Sequence, residues 1–139
     1  MPLMSDAVSR DAIFAGDHEG AYALLQRGHE LLRRRHHAQA AVVLERARSL
    51  EPQRGSIMEA LGRAYCNSGD FERAAEAFGR LVVIDPVAAY GHFGLGLSLK
   101  RLGRPDRARG HLRLAVAMDP QSELFRHALR RLERSHRPP

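Results

Sequence analysis

The sequence predicts an all-α protein, a short solenoid of stacked helical hairpins, and three observations carry that prediction. Pro52, Pro86 and Pro120 recur at a spacing of 34 residues, each directly after an acidic residue, Glu51, Asp85 or Asp119. At the same period small residues fall into register, Gly28, Gly62 and Gly96 and then Ala40, Ala74 and Ala108, beside a column of large apolar residues, Leu44, Phe78 and Leu112. The turn glycines Gly69 and Gly103 also coincide in the second and third units. A period of about 34 residues is that of a helix-turn-helix repeat, in which no unit can bury its apolar stripes except by stacking on its neighbours.

The elements follow in order. Residues 1–20 precede the repeat, and Ala7, Val8, Ala12, Ile13 and Phe14 carry the apolar pattern of a short helix over unit one. Unit one, 21–54, has Arg35 where the later units have a turn glycine. A side chain in a left-handed turn costs roughly 1–2 kcal/mol, so this turn is expected to be built differently or to be mobile. In unit two, 55–88, Ser56 and Glu59 have the spacing of a capping box for the first helix, and Asp70 suits the N-cap of the second. In unit three, 89–122, Gly103 ends the first helix and Pro105 fits the first position of the next. Ser122 is placed to cap a final helix over 123–134, with Leu124, Phe125, Ala128, Leu129 and Leu132 as its apolar stripe, and residues 135–139 form a frayed tail. Glycine in a helix interior costs about 1 kcal/mol relative to alanine. Three at one register therefore mark close helix–helix contacts, with Leu44, Phe78 and Leu112 filling the space between the paired helices.

Composition narrows the function classes. The chain of 139 residues has 22 Lys and Arg against 16 Asp and Glu, and 44% of its residues are hydrophobic, so it is neither an acidic disordered chain nor one short of core. One cysteine, Cys66, excludes an internal disulfide and a thiolate zinc site and points to a reducing, cytoplasmic setting. No secretory leader and no run of eighteen apolar residues is present, so no membrane segment is expected. Lys100 is the only lysine; such an arginine bias arises from GC-rich coding as readily as from anion binding. Gly91, Gly94 and Gly96 do not match G-x-G-x-x-G and lie within a predicted helix, which makes them packing residues. His36 and His37 diverge on a helix, no histidine pair has metal-ligand spacing, and the eight histidines are expected on the surface. Cys66 has no sequence-local base, and Glu59 has only Glu30 as a potential carboxylate partner on the inner helices. No enzyme, no metal and no cofactor is therefore expected.

These columns resemble the tetratricopeptide repeat (TPR) family. The middle unit reads Leu61-Gly62-x2-Tyr65, Ala74-x3-Phe78 and Pro86, with Met58 in the family's tryptophan column; His92 occupies that column in unit three. The resemblance covers 21–122 and implies a right-handed α-solenoid of three repeats with an N-terminal helical segment and a C-terminal capping helix. It further implies a concave groove lined by the first helix of each unit. Those positions hold Tyr22, Leu25, His29, Leu32 and Arg33 in unit one. They hold Ser56, Glu59, Arg63, Cys66 and Asn67 in unit two, and Tyr90, Phe93, Leu97, Lys100 and Arg101 in unit three.

The expected function is a non-enzymatic adaptor holding a protein or peptide segment in that groove, with Tyr90, Phe93 and Arg63 as main anchors and Tyr22, His29 and Lys100 secondary. A subset of the family grips chaperone C-termini with Lys, Asn and Arg at positions that here hold Leu25, His29, Ala60, Tyr90 and Gly94, so that clamp is missing. Arg33, Arg34 and Arg35, with His36 and His37, mark one turn, and Lys100, Arg101 and Arg104 the matching turn two units on. This basic edge makes an RNA- or ribosome-associated protein the alternative; a small secretion-type chaperone is a second. Charge is uneven along the chain, since residues 1–20 hold Asp6, Asp11, Asp17 and Glu19 against Arg10 alone.

Overall fold

The computed structural model describes residues 20–136, and these form seven helices with no strand among them. They are α1 (20–33), α2 (His37–Leu50), α3 (Gly55–Asn67), α4 (Phe71–Ile84), α5 (Ala89–Arg101), α6 (Pro105–Met118) and α7 (Glu123–Ser135). The short helix expected before residue 20, and residues 137–139 of the tail, lie outside the described residues. Ser135 remains helical.

Each helix from α2 onward packs on the next, and α3 also packs on α5 and α5 on α7. The even-numbered helices α2, α4 and α6 make no such contact with one another. Only long side chains span that side, as where Arg48 of α2 reaches Glu76 of α4 at 2.9 Å. A stack whose odd helices touch while its even helices diverge must curve, with the odd helices on the inside.

Interlocking glycines set these distances. A Cβ on Gly62 would stand 2.7 Å from the Phe78 ring, one on Gly96 2.8 Å from Leu112, and one on Gly28 would collide with Leu44. These are the contacts within the three hairpins that the repeat columns predict. Phe78 is used twice, because a Cβ on Gly94 of α5 would lie 2.5 Å from the same ring. The ring, 1% exposed, thus fills the space between α3 and α5 and locks unit two to unit three.

The caps are partly as expected. Asp70 accepts a hydrogen bond from the Arg73 N–H, Ser122 accepts one from the Phe125 N–H, and Pro105 opens α6. The capping box at Ser56 and Glu59 does not form. The N–H groups of Ile57 and Met58 donate to the Arg54 carbonyl, so α3 begins at Gly55 and Ser56 falls inside its first turn. The Arg35 turn also departs from expectation, since it is built like the others. Arg35, Gly69 and Gly103 have φ of 63°, 84° and 77°. In each turn the following N–H reaches back five residues, His36 to Leu31, Asp70 to Tyr65 and Arg104 to Leu99, at 2.8–2.9 Å. This is the Schellman closure, and its hydrogen bonds hold Arg35 in the left-handed region despite its side chain.

Candidate functional site

The inner face is lined by α1, α3, α5 and α7, and it deepens at one place. A pocket of about 420 Å³ opens between the C-terminal ends of α3 and α5, the start of α4 and the flank of α7. Phe71, Phe93, Leu97, Leu124 and Ala128 supply its apolar surface, and Lys100, Arg101 and Arg131 its cationic rim, with His127 on the α7 side and Cys66 and Asn67 on the α3 side. Among the described residues no carboxylate lines it. The Arg101 guanidinium lies 4.5 Å from the centre of the Phe71 ring, where the ring face attracts it and fixes its place at the rim.

An aromatic chain passes beside the pocket and meets it at Phe93. Phe78, Tyr90, Phe93 and Phe125 follow one another with ring centroids 6.2, 5.6 and 5.0 Å apart, running from the core to the capping helix. Phe93 is 6% exposed and packs on Phe125, so it forms part of the pocket wall rather than a free anchor. Tyr90 is half-buried; burial pushes its phenol up, and nearby Arg63 opposes that shift. Burial also pushes the Cys66 thiol up, against a hydrogen bond with Ser98 and the charge of Arg101, which leaves it protonated and a poor nucleophile.

The structure brings Phe93, Lys100 and Arg101 together at the pocket. Tyr22, 60% exposed, and the half-buried His29, Arg63 and Tyr90 lie on the same row of inner helices but do not line it. Leu25 and Leu32 are buried in the core. Five pocket residues escape the column argument, namely Phe71, Leu124, His127, Ala128 and Arg131. The first-helix pattern says nothing of α4 or α7, although the apolar stripe of the final helix did contain Leu124 and Ala128.

On the basic edge, Arg33 and Arg34 both pair with Glu30, and Arg73 pairs with Asp70. Lys100, Arg101 and Arg104 have no carboxylate partner among the described residues. One histidine departs from the expected surface position. His92 is buried, and its Nδ1 lies 3.1 Å from Nδ1 of His111 on α6, with the two rings stacked. His92 Nε2 donates to the Pro86 carbonyl at 2.9 Å, which assigns His92 Nδ1 as the acceptor and His111 as the donor. The repeat register held the signal, because His92 stands in the buried tryptophan column. Among the described residues no three His, Cys, Asp or Glu side chains gather as metal ligands, and no helix is long and apolar enough to cross a membrane.

The fold and the inner face together define a class, a short α-solenoid of helical hairpins with an open concave groove. Within that class the chain belongs to the tetratricopeptide repeat family, whose model matches residues 25–88 and 59–123. Mouse Superkiller complex protein 3 is 29% identical over 97 residues, which are 70% of this chain and 6% of that protein, so the chain spans a small part of this relative. The TPR domain of Arabidopsis OM64 superposes with a TM-score of 0.82 at 20% identity, covering 87% of this chain and 99% of that one. The first TPR of Spaghetti (RPAP3) bound to an HSP90 peptide superposes at 0.80 and 14% identity, covering 84% and 93%. The second TPR domain of human RPAP3, in complex with an HSP70 peptide, gives 0.80 and 15%, covering 85% and 98%. At these identities the similarity is one of fold.

Proposed function

We propose that the chain is a non-catalytic adaptor that holds a segment of a partner protein on its concave face, anchored at the pocket between α5 and α7. The observation that carries this reading is the pocket itself, an apolar recess with a cationic rim and, among the described residues, no acidic lining. Recesses of a few hundred Å³ that combine apolar walls with a few convergent polar groups are where ligands bind, and buried aromatic and arginine side chains dominate such contacts. The RPAP3 domains, solved with bound chaperone peptides, support a peptide as the kind of guest. They do not extend to the same chaperone tails, because the clamp positions here include Leu25, Ala60 and Gly94, all buried without a polar group to offer. In this reading Phe93, Leu97 and Lys100, which line the pocket, contact the segment there, while Tyr90, Arg63, His29 and Tyr22 extend the contact along the groove.

Lys100, Arg101 and Arg104, which have no carboxylate partner among the described residues, favour one second reading, that the same edge holds RNA. Capture of partners from native extract, with and without nuclease, separates the two. Under the adaptor reading a protein is retained after nuclease treatment, Leu97→Glu and Leu124→Glu release it, and Arg104→Glu does not. Nuclease-sensitive capture, lost on Arg104→Glu and falling steeply with salt, would establish the RNA reading and refute the adaptor.

A further inference from the structure

The pocket matches a stretch of this same chain. Its fixed cations, Lys100 and Arg101 from α5 and Arg131 from α7, have no carboxylate partner among the described residues. Eight of the twelve acids in residues 20–136 hold an arginine, and the other four, Glu59, Glu72, Asp85 and Asp119, do not line the pocket. Residues 1–19 carry four of the chain's 16 acidic residues, Asp6, Asp11, Asp17 and Glu19, against Arg10 alone. Apolar side chains sit among these acids, Ala7 and Val8 after Asp6 and Ala12, Ile13 and Phe14 after Asp11. The complement to a cationic apolar pocket is an acidic segment that carries apolar side chains, and this chain's sequence supplies one.

We propose that the pocket is an intramolecular docking site for the chain's own acidic N-terminal segment. Asp6 and Asp11 match in charge the cations Lys100, Arg101 and Arg131, and the apolar side chains between them match in character Leu97 and Leu124, the latter 55% exposed. The reach is sufficient. The pocket lies at the far ends of the inner helices from Gly20, about 21 Å along for a 14-residue helix and two helix spacings of roughly 8–10 Å across. Twelve residues from Gly20 back to Val8 span up to about 40 Å when extended, more than that diagonal. Exposed ion pairs are individually weak, but a tether of this length presents the segment at an effective concentration in the millimolar range, so a weak contact suffices to keep it docked. A partner segment that uses the same pocket must displace it, and its apparent affinity falls by the fraction of molecules that are open. The docking itself needs no partner, so it stands or falls separately from the adaptor reading.

The test uses the full chain, which contains no tryptophan. Val8→Trp introduces a single reporter in the segment. Docking predicts a blue-shifted emission shielded from acrylamide, independent of protein concentration. Adding Lys100→Glu and Arg131→Glu should shift the emission to the red and raise quenching severalfold while the helical dichroism is unchanged. Asp6→Arg and Asp11→Arg on that background should restore the shielding, which a merely unfolded variant would not allow. Salt at 1 M, where the screening length is about 3 Å, should release the segment of the Val8→Trp chain without any change of charge. Emission of a water-exposed indole in the starting variant, shielding that survives both the charge reversal and salt, or shielding that grows with protein concentration would each overturn the proposal.

Discussion

At the scale of the residue, the dominant feature is the fit of Phe78 between two glycines. Unit one has Leu44 in the register of Phe78, and its counterpart of Gly94 is Ala60. The smaller side chain therefore goes with the larger partner. Gly94→Ala should destabilise by about 1–3 kcal/mol, as overpacking does. Adding Phe78→Leu should recover part of that loss, a coupling that a double-mutant cycle by urea denaturation measures. Additive effects would mean that the ring and the glycine do not compete for one space. Gly79 and Gly110 also lie within helices, but nothing stands within 4 Å of a Cβ there. Arg35 offers the opposite opportunity. Its φ of 63° is met without strain only by glycine. Arg35→Gly should stabilise by roughly 0.5–1 kcal/mol, the left-handed penalty less the added entropy of an unfolded glycine; an unchanged denaturation midpoint would mean the side chain offsets its own strain.

At the scale of the element, the contact of α5 with α6 contains a titratable joint. Burial holds His111 below the ordinary imidazole range, and the neighbouring His92 and Arg107 lower it further. The folded protein therefore binds this proton less readily than the unfolded chain does. The corresponding stability is present above the unfolded value of about 6.5 and is lost as pH falls through it toward the lower folded value. A proton on His92 Nδ1 would also set two N–H donors face to face across 3.1 Å. Thermal melts from pH 8 to 5 should show stability falling below about pH 6.5, and His111→Gln should flatten that fall. A parallel profile in the variant would place the acid sensitivity elsewhere. Much of the element scale was legible in advance. The turn glycines, Asp70, Pro105 and Ser122 all act through local geometry. The capping box failed because the turn from Glu51 to Arg54 starts α3 two residues earlier, and a hydrogen bond pattern set by the preceding loop outranks side-chain preference.

At the scale of the molecule, a solenoid has two ends that the repeat does not close, and α7 closes one. Phe125 and Leu132 are buried, with Phe125 against Phe93. Because stability in such arrays is carried by neighbouring interfaces, Leu132→Ala should cost about 2–5 kcal/mol. It should also raise amide exchange first in α7 and α6, leaving α3 and α4 more protected. Uniform loss of protection along the chain would show that the stack unfolds as one unit instead.

The sequence by itself determined the period, the helical hairpins and the glycine contacts within each hairpin, because these follow from register and local sterics. The expectation that Phe93, Lys100 and Arg101 lie on the inner face came from the family resemblance those columns carry. Only the tertiary structure decided that Phe71 and the flank of α7 complete a pocket with them, that Phe93 is wall rather than anchor, and that His92 meets His111. Those outcomes depend on how one unit is laid on the next and on the angle at which a non-repeating helix caps the stack, and distance in space of that kind has no periodic trace in the chain. The same is true of charge. Composition counts the basic residues, but packing determines which find a carboxylate among residues 20–136 and which, like Lys100, Arg101 and Arg131, gather at the pocket.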